Sequence, residues 1–264
     1  MREVTICVLV YGDHFCLATR VLNSILRNCP RREYRLAVGA NAACQETLRF
    51  LRRLRKAGHI DRLVVSPRNI NKCPMMRRLL AEVETEFIWW FDDDSHILQP
   101  TALSKWLQLA RPSSESNVMW GQVAVCDYEA AFADVEDAVQ FVRSAQWYRG
   151  VPPPYWRPGG KGEFDFEGRG TGDGRWFFIL GGCWWIRTQT VRALDWPDRR
   201  LVKNGDDVFL GEAIRQNGWQ LANIGTPGVA SNTEPRRGES GWRRQPEIGA
   251  NRRNFLERSF IAAT

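Results

Sequence analysis

The chain opens with a repeating pattern. Val4 to Val10 is an unbroken apolar run that stops at Tyr11-Gly12-Asp13, and a helical pattern follows to about Asn28 with Leu17, Val21, Ile25 and Leu26 on one face. Tyr34 to Val38 predicts a second strand, ending at Gly39-Ala40-Asn41. Glu46 to Lys56 predicts a second helix, which Gly58 stops. Ile60 to Val65 predicts a third strand and Met75 to Val83 a third helix. Phe87-Ile88-Trp89-Trp90-Phe91 then gives five apolar residues in a row, the pattern of a strand buried on both faces. Strands alternating with helices of this length predict parallel βαβ units, the architecture of a nucleotide-binding half. Further on, Pro100 to Ala110 predicts a helix, Asn117 to Cys126 a strand, Trp176 to Trp185 a strand containing Gly181-Gly182, and Arg187 to Leu194 a short helix. Residues 147–175 are rich in Pro, Gly and aromatic side chains and predict an irregular loop over the site.

Two acidic clusters interrupt this pattern. Asp92-Asp93-Asp94 follows the aromatic strand directly. Three adjacent carboxylates repel one another and resist burial unless a cation or solvent neutralises them. At the carboxyl end of a buried strand they suit a divalent-metal site, although a solvated acidic turn reads the same way. Asp206 and Asp207 fall in the first turn of an amphipathic helix that turns Phe209, Leu210, Ala213 and Ile214 inward and ends at Gly218. Acidic residues there complement a helix dipole, and they also suit acid–base chemistry.

Composition narrows the class. The 264 residues are 44% hydrophobic and 25% charged, which fits one large domain with a substantial core. No apolar run reaches the roughly 18 residues that a membrane-spanning helix needs. Met1-Arg2-Glu3 leads straight into a strand rather than a signal peptide, so the expected location is cytoplasmic or peripheral to a membrane. Seven cysteines are scattered without a C-x-x-C pair and are expected to be reduced core residues. The net charge is +7, but Arg27 to Arg78 alone has a balance of +11, and the end of the chain adds seven arginines from Arg236 to Arg258. Such regions favour polyanions: nucleotide phosphates, nucleic acid or anionic lipid.

In order and spacing, these pieces resemble the nucleotide-sugar glycosyltransferases of GT-A fold, family 2 type. The resemblance runs from about Thr5 to Ile224. It is carried by the strand to Tyr11-Gly12-Asp13, the DXD-like Asp92-Asp93-Asp94, the segment Gly181-Gly182-Cys183-Trp184-Trp185-Ile186-Arg187, and Gly205-Asp206-Asp207 with Phe209-Leu210 and Gly218-Trp219. It implies an α/β fold with a mostly parallel, Rossmann-like central sheet flanked by helices. The implied halves are residues 1–98 for the nucleotide and 99–230 for the acceptor, with 231–264 as a basic tail.

The resemblance also implies roles. Asp94 and Asp92 would hold Mn2+ or Mg2+, with Asp92 also at the ribose and Asp93 between them. Tyr11, Asp13 and Asn41 would lie at the base and ribose, and Arg77 or Arg78 at the diphosphate. Gly181 and Gly182 would let backbone approach the donor sugar or acceptor, and Asp207 would be the catalytic base with Asp206 supporting it or acting in its place. Trp156, Trp184 and Trp185 are expected at the acceptor. The donor implied is a nucleotide sugar, a UDP-sugar first. The acceptor hydroxyl belongs to a glycan, lipid, small molecule or nucleic acid, for instance a hydroxymethylated base in DNA. Two departures stand out. Ala40 occupies a place where many relatives carry a base-reading Asp, and Ser231-Asn232 falls where many supply a late His ligand. A sugar-nucleotide nucleotidyltransferase is disfavoured because Tyr11-Gly12-Asp13-His14 is no Gly-rich phosphate loop. A non-catalytic nucleic-acid-binding protein would need neither acidic cluster.

Overall fold

The computed structural model describes residues 2–127, 140–151, 175–202 and 205–231. The alternating pattern produces β1 (Val4–Tyr11), α1 (Phe15–Asn28), β2 (Tyr34–Asn41), α2 (Gln45–Lys56), β3 (Arg62–Ser66), α3 (Lys72–Leu80) and β4 (Phe87–Asp92). Beyond the acidic triplet come β5 (His96–Ile97), α4 (Ala102–Ala110), β6 (Asn117–Asp127), β7 (Arg175–Arg187), α5 (Thr188–Ala193), α6 (Asp206–Gln216), β8 (Gln220–Asn223) and β9 (Val229–Ala230). The elements fall close to the predicted ranges, with one consequential difference: α3 begins at Lys72, three residues before Met75. Pro74 lies in its first turn, where a missing N–H costs nothing.

The central sheet has seven strands in the order β3-β2-β1-β4-β7-β6-β8. β1 runs parallel to β2 and β4, β2 parallel to β3, and β6 parallel to β8, while β7 lies antiparallel between β4 and β6. Hydrogen bonding between β4 and β7 makes the sheet continuous through both halves of the chain. β8 was not legible in the pattern, because its four residues mix polar and apolar positions and only Leu221 is buried.

The two faces of the sheet carry separate cores. α1, α2 and α4 cover one face, where Val4, Ile6, Val8, Phe87, Trp89, Phe91 and Trp185 are buried. α3 and α6 cover the other, with Cys7, Leu9, Ile88, Trp90, Trp184 and Ile186. Because alternate residues of a strand point to opposite faces, Trp90 and Asp92 share the α3/α6 side of β4. Gly211 lets α6 lie directly on β7: a Cβ there would fall 2.2 Å from the carbonyl oxygen of Phe177. That close approach fixes the start of α6 relative to the end of β4.

A second, two-stranded sheet pairs β5 with β9, matching His96 to Ala230 and Ile97 to Val229. It returns the chain to the acidic triplet. The Ser231 hydroxyl stands 3.1 Å from that of Ser95.

Candidate active site

The site forms at the carboxyl ends of β1, β2 and β4, where α/β sheets bind ligands. Its centre is Lys72, the first residue of α3. The ammonium lies 3.1 Å from Asp92 Oδ2 and 3.1 Å from Asp206 Oδ2, and so joins the two acidic clusters that the sequence holds over a hundred residues apart. The remaining oxygen of Asp92 accepts the Trp90 indole N–H at 3.0 Å. Burial works against the Lys72 charge, but Asp206, Asp92 and Asp207 outweigh it and hold the ammonium well above the usual lysine range.

Asp207 is set beside this bridge. Its Oδ1 accepts the Val208 backbone N–H at 2.9 Å, and its Oδ2 faces Gly181 of β7. A Cβ at Gly181 would come within 3.1 Å of that oxygen and 3.3 Å of Lys72 Nζ, so a side chain there would crowd the carboxylate–lysine cluster by a few tenths of an ångström. Burial and then the neighbouring Asp206 charge push the Asp207 carboxyl up to about 6, with Lys72 opposing them. Burial also raises Asp206, against Lys72. Gly182 contributes its carbonyl to the Ser95 hydroxyl at 2.9 Å.

The other predicted donor-side residues divide. Tyr11 is half-buried at the end of β1, with its ring 5.8 Å from that of His14, and Asp13 is exposed at the mouth. Asp94 is half-buried at the edge of the cleft. Asp93 is 1% exposed and accepts the Tyr11 backbone N–H at 3.3 Å on one carboxylate oxygen, which ties the ends of β4 and β1 together. Asn41 is likewise turned inward. Its amide donates to Asn69 Oδ1 and the Asn71 carbonyl and accepts the Ile70 N–H, which uses it to hold the loop before α3 and not at the base or ribose. Ala40 is fully buried and offers a base no hydrogen-bonding group.

Three expectations need correction. Arg77 points away from the cleft and pairs with Asp195, at 2.8 Å to its carboxylate and 2.8 Å to its carbonyl; among the described residues it is Lys72 that pairs with the carboxylates of the site. Trp184 and Trp185 lie in the core at 1% and 0% exposure, where no acceptor reaches them. Trp184 stacks on Trp90 at 5.5 Å, and Trp185 packs against Trp89 at 5.6 Å and Trp106 at 5.9 Å. Trp147, at the start of the predicted loop, is also core. Trp156 and the basic tail from 232 onward lie outside the described residues.

The loop that delivers Lys72 is strained. Asn71 adopts φ 68° and ψ 176°, a region that L residues avoid and glycine occupies freely. The loop hydrogen bonds of Asn71 pass through its backbone. Asn71→Gly should therefore relieve strain worth about 1–3 kcal/mol, less the entropy that glycine loses, for a net gain of about 1 kcal/mol. Thermal unfolding should show a midpoint a few degrees higher.

This architecture, a Rossmann-like half continued by an antiparallel β7 and an acidic helix start, is that of the GT-A glycosyltransferases. The chain belongs to the glycosyltransferase-like family 2, whose model matches residues 3–243. Among solved structures it is similar to the mannosyltransferase PcManGT from Pyrobaculum calidifontis in complex with GDP-Man and Mn2+, with a TM-score of 0.59 at 16% identity, over 91% of this chain and 59% of that one. It is also similar to S. aureus TarS 1–349 in complex with UDP-GlcNAc, with a TM-score of 0.56 at 13% identity, over 88% of this chain and 59% of that one. At such identities the likeness is one of fold. The chain spans about three-fifths of the length of these solved chains. A search among curated proteins gives no match.

Proposed function

We propose that the chain transfers a sugar from a nucleoside-diphosphate sugar to an acceptor hydroxyl with inversion at the anomeric carbon. The observation that carries this reading is the Lys72 bridge between Asp92 and Asp206, which holds Asp207 beside the end of the donor-side strand. Asp207 is the base: its carboxylate takes the acceptor proton as the hydroxyl oxygen forms the new bond to the anomeric carbon. The bond from that carbon to the diphosphate oxygen breaks, and its electron pair leaves with the nucleoside diphosphate. Asp206, already bonded to Lys72, supports the base and is not its substitute. Tyr11 and Asp13 line the nucleotide end of the cleft.

The residues present suit a divalent cation only in part. Both oxygens of Asp92 already have protein donors, so the role of metal ligand passes to Asp94. Among the described residues no group of three or more His, Cys, Asp or Glu is placed to hold an ion. A hard cation such as Mn2+ or Mg2+ would thus be held by Asp94 with phosphate oxygens and water, and it would supply positive charge to the departing diphosphate. Ser231 stands beside Ser95 where a late His ligand is common in relatives, and its hydroxyl is a weak replacement.

UDP-sugars are the first donors to try, with GDP-sugars beside them because Ala40 cannot read the base. A hydroxymethylated base in DNA belongs in the acceptor panel with glycans and lipid-linked sugars. Release of nucleoside diphosphate should appear with one base, rise with acceptor, and stop when manganese and magnesium are chelated. No turnover with any donor, metal and acceptor combination would overturn the reading.

A further inference from the structure

The protein carries a second charged surface that the transfer reaction does not use. Between Phe15 and Gly58 the sequence carries ten Lys/Arg and two acidic residues, so the α1–α2 layer has a net charge of +8 against +7 for the whole chain. Part of that charge is neutralised within the fold. Arg31 bonds Asp61 and the Tyr34 carbonyl, Arg35 pairs with Glu84, and Arg55 donates to the carbonyls of Ile60 and Asp61. Arg49, Arg52, Arg53 and Lys56 are exposed. Their spacing of i, i+3, i+4 and i+7 sets them in one stripe on the face of α2 opposite the buried Leu48 and Leu51.

Within the protein this stripe is a liability. Like charges three and four residues apart on a helix repel one another, and Glu46 is the single acidic residue of α2. An anionic surface outside the molecule is what such an array favours. We infer that the exposed cationic face of α2 docks the protein on an anionic lipid surface and leaves the donor cleft open beside it.

Two observations favour lipid over nucleic acid. From Arg49 to Lys56 the exposed positions are Arg49, Arg52, Arg53, Arg55 and Lys56, with no aromatic ring to stack on a base and no amide to read a base edge. The stripe also lies on the wrong side for a nucleic-acid acceptor. α2 packs with α1 and α4 on one face of the sheet, whereas α6, which begins with Asp206 and Asp207, packs with α3 on the other. A polyanion clamped at α2 would sit across the sheet from the acceptor carboxylates. A lipid surface there runs along the sheet face, and the cleft at the strand ends stays clear of it.

The test is co-sedimentation of the full chain with phosphatidylcholine vesicles containing about 30 mol % phosphatidylglycerol, against phosphatidylcholine alone, at about 0.1 M and about 0.5 M salt. Binding should require the anionic lipid and weaken at high salt. The triple variant R49A/R53A/K56A should bind about a hundredfold more weakly at an unchanged thermal midpoint, since each surface cation strengthens such binding several-fold. The charge-conserving R49K/R53K should bind as the wild type does. Equal binding by the triple variant, or no preference for anionic vesicles, would overturn the inference. So would tighter binding to duplex DNA that the triple variant loses, which would assign the stripe to nucleic acid.

Discussion

Asp207→Asn is expected to slow sugar transfer by about a hundredfold to ten-thousandfold while leaving donor binding in place. The amide keeps the volume of the carboxyl and can still accept the Val208 N–H, but it cannot take a proton from the acceptor. The pH profile follows from the same group. With its carboxyl pushed up to about 6 by burial and by Asp206, Asp207 is protonated below that value. Wild-type activity should therefore fall as pH drops through about 6, and the residual activity of Asp207→Asn should show no such step. Stability runs the other way. A carboxyl whose folded value is raised favours the fold most below its unfolded value near 4, and this contribution is lost as pH rises through about 6. Asp207→Asn should thus match the wild-type thermal midpoint at pH 4 and exceed it at pH 8. A variant that is slower at pH 8 yet no more stable there would show that the charge of Asp207 is better compensated than its surroundings indicate.

The second large effect is expected at Lys72. Lys72→Met removes the cation that bridges Asp92 and Asp206, whose side chains are 12% and 7% exposed, and leaves their charges facing each other in a poorly solvated site. Breaking a buried pair in this way typically costs about 3–5 kcal/mol, here a fall in thermal midpoint of about 10 °C. The sign with pH is specific. Lys72 is held charged far above neutrality, so its contribution is fully present across the physiological range, and the deficit of the variant is set by the two carboxylates. It should be largest at high pH and shrink on acidification as Asp206, whose carboxyl burial raises, takes up its proton. Lys72 acts through Asp92 and Asp206 as a positioning residue. A small displacement of these groups should lower kcat/KM by about a hundredfold, with Lys72→Arg recovering stability better than turnover. If Lys72→Met were as stable as the wild type, the bridge would not be what joins the two halves of the site.

Much of this was legible from residue order. The apolar run of β4 could be placed because a strand covered on both faces needs no alternation, and the acidic triplet at its end marked the cleft. The amphipathic pattern after Gly205 placed Asp206 and Asp207 at a helix start. The site residues that escaped did so for physical reasons. Lys72 lies before the apolar repeat of α3, so periodicity started the helix late and left the lysine in a loop; Asn71 followed by Pro74 was the available cue for the earlier start. Asn41 and Asp93 look like ligand contacts because they are polar and sit at strand ends, yet both are buried, and the amide of Asn41 is fully engaged by the loop before α3. Trp184 and Trp185 were misplaced because β7 is an interior strand. With β4 on one side and β6 on the other, and helices over both faces, two consecutive tryptophans point in opposite directions and are both buried.

The most direct test of the donor cleft is calorimetric titration of UDP and GDP into the wild type and Asp94→Ala, with and without manganese. One of the two nucleotides should bind the wild type in a manganese-dependent manner, and Asp94→Ala should lose that dependence while its thermal midpoint stays unchanged. Failure of both nucleotides to bind the folded wild type in the presence of manganese would contradict the assignment of this cleft to a nucleotide-sugar donor.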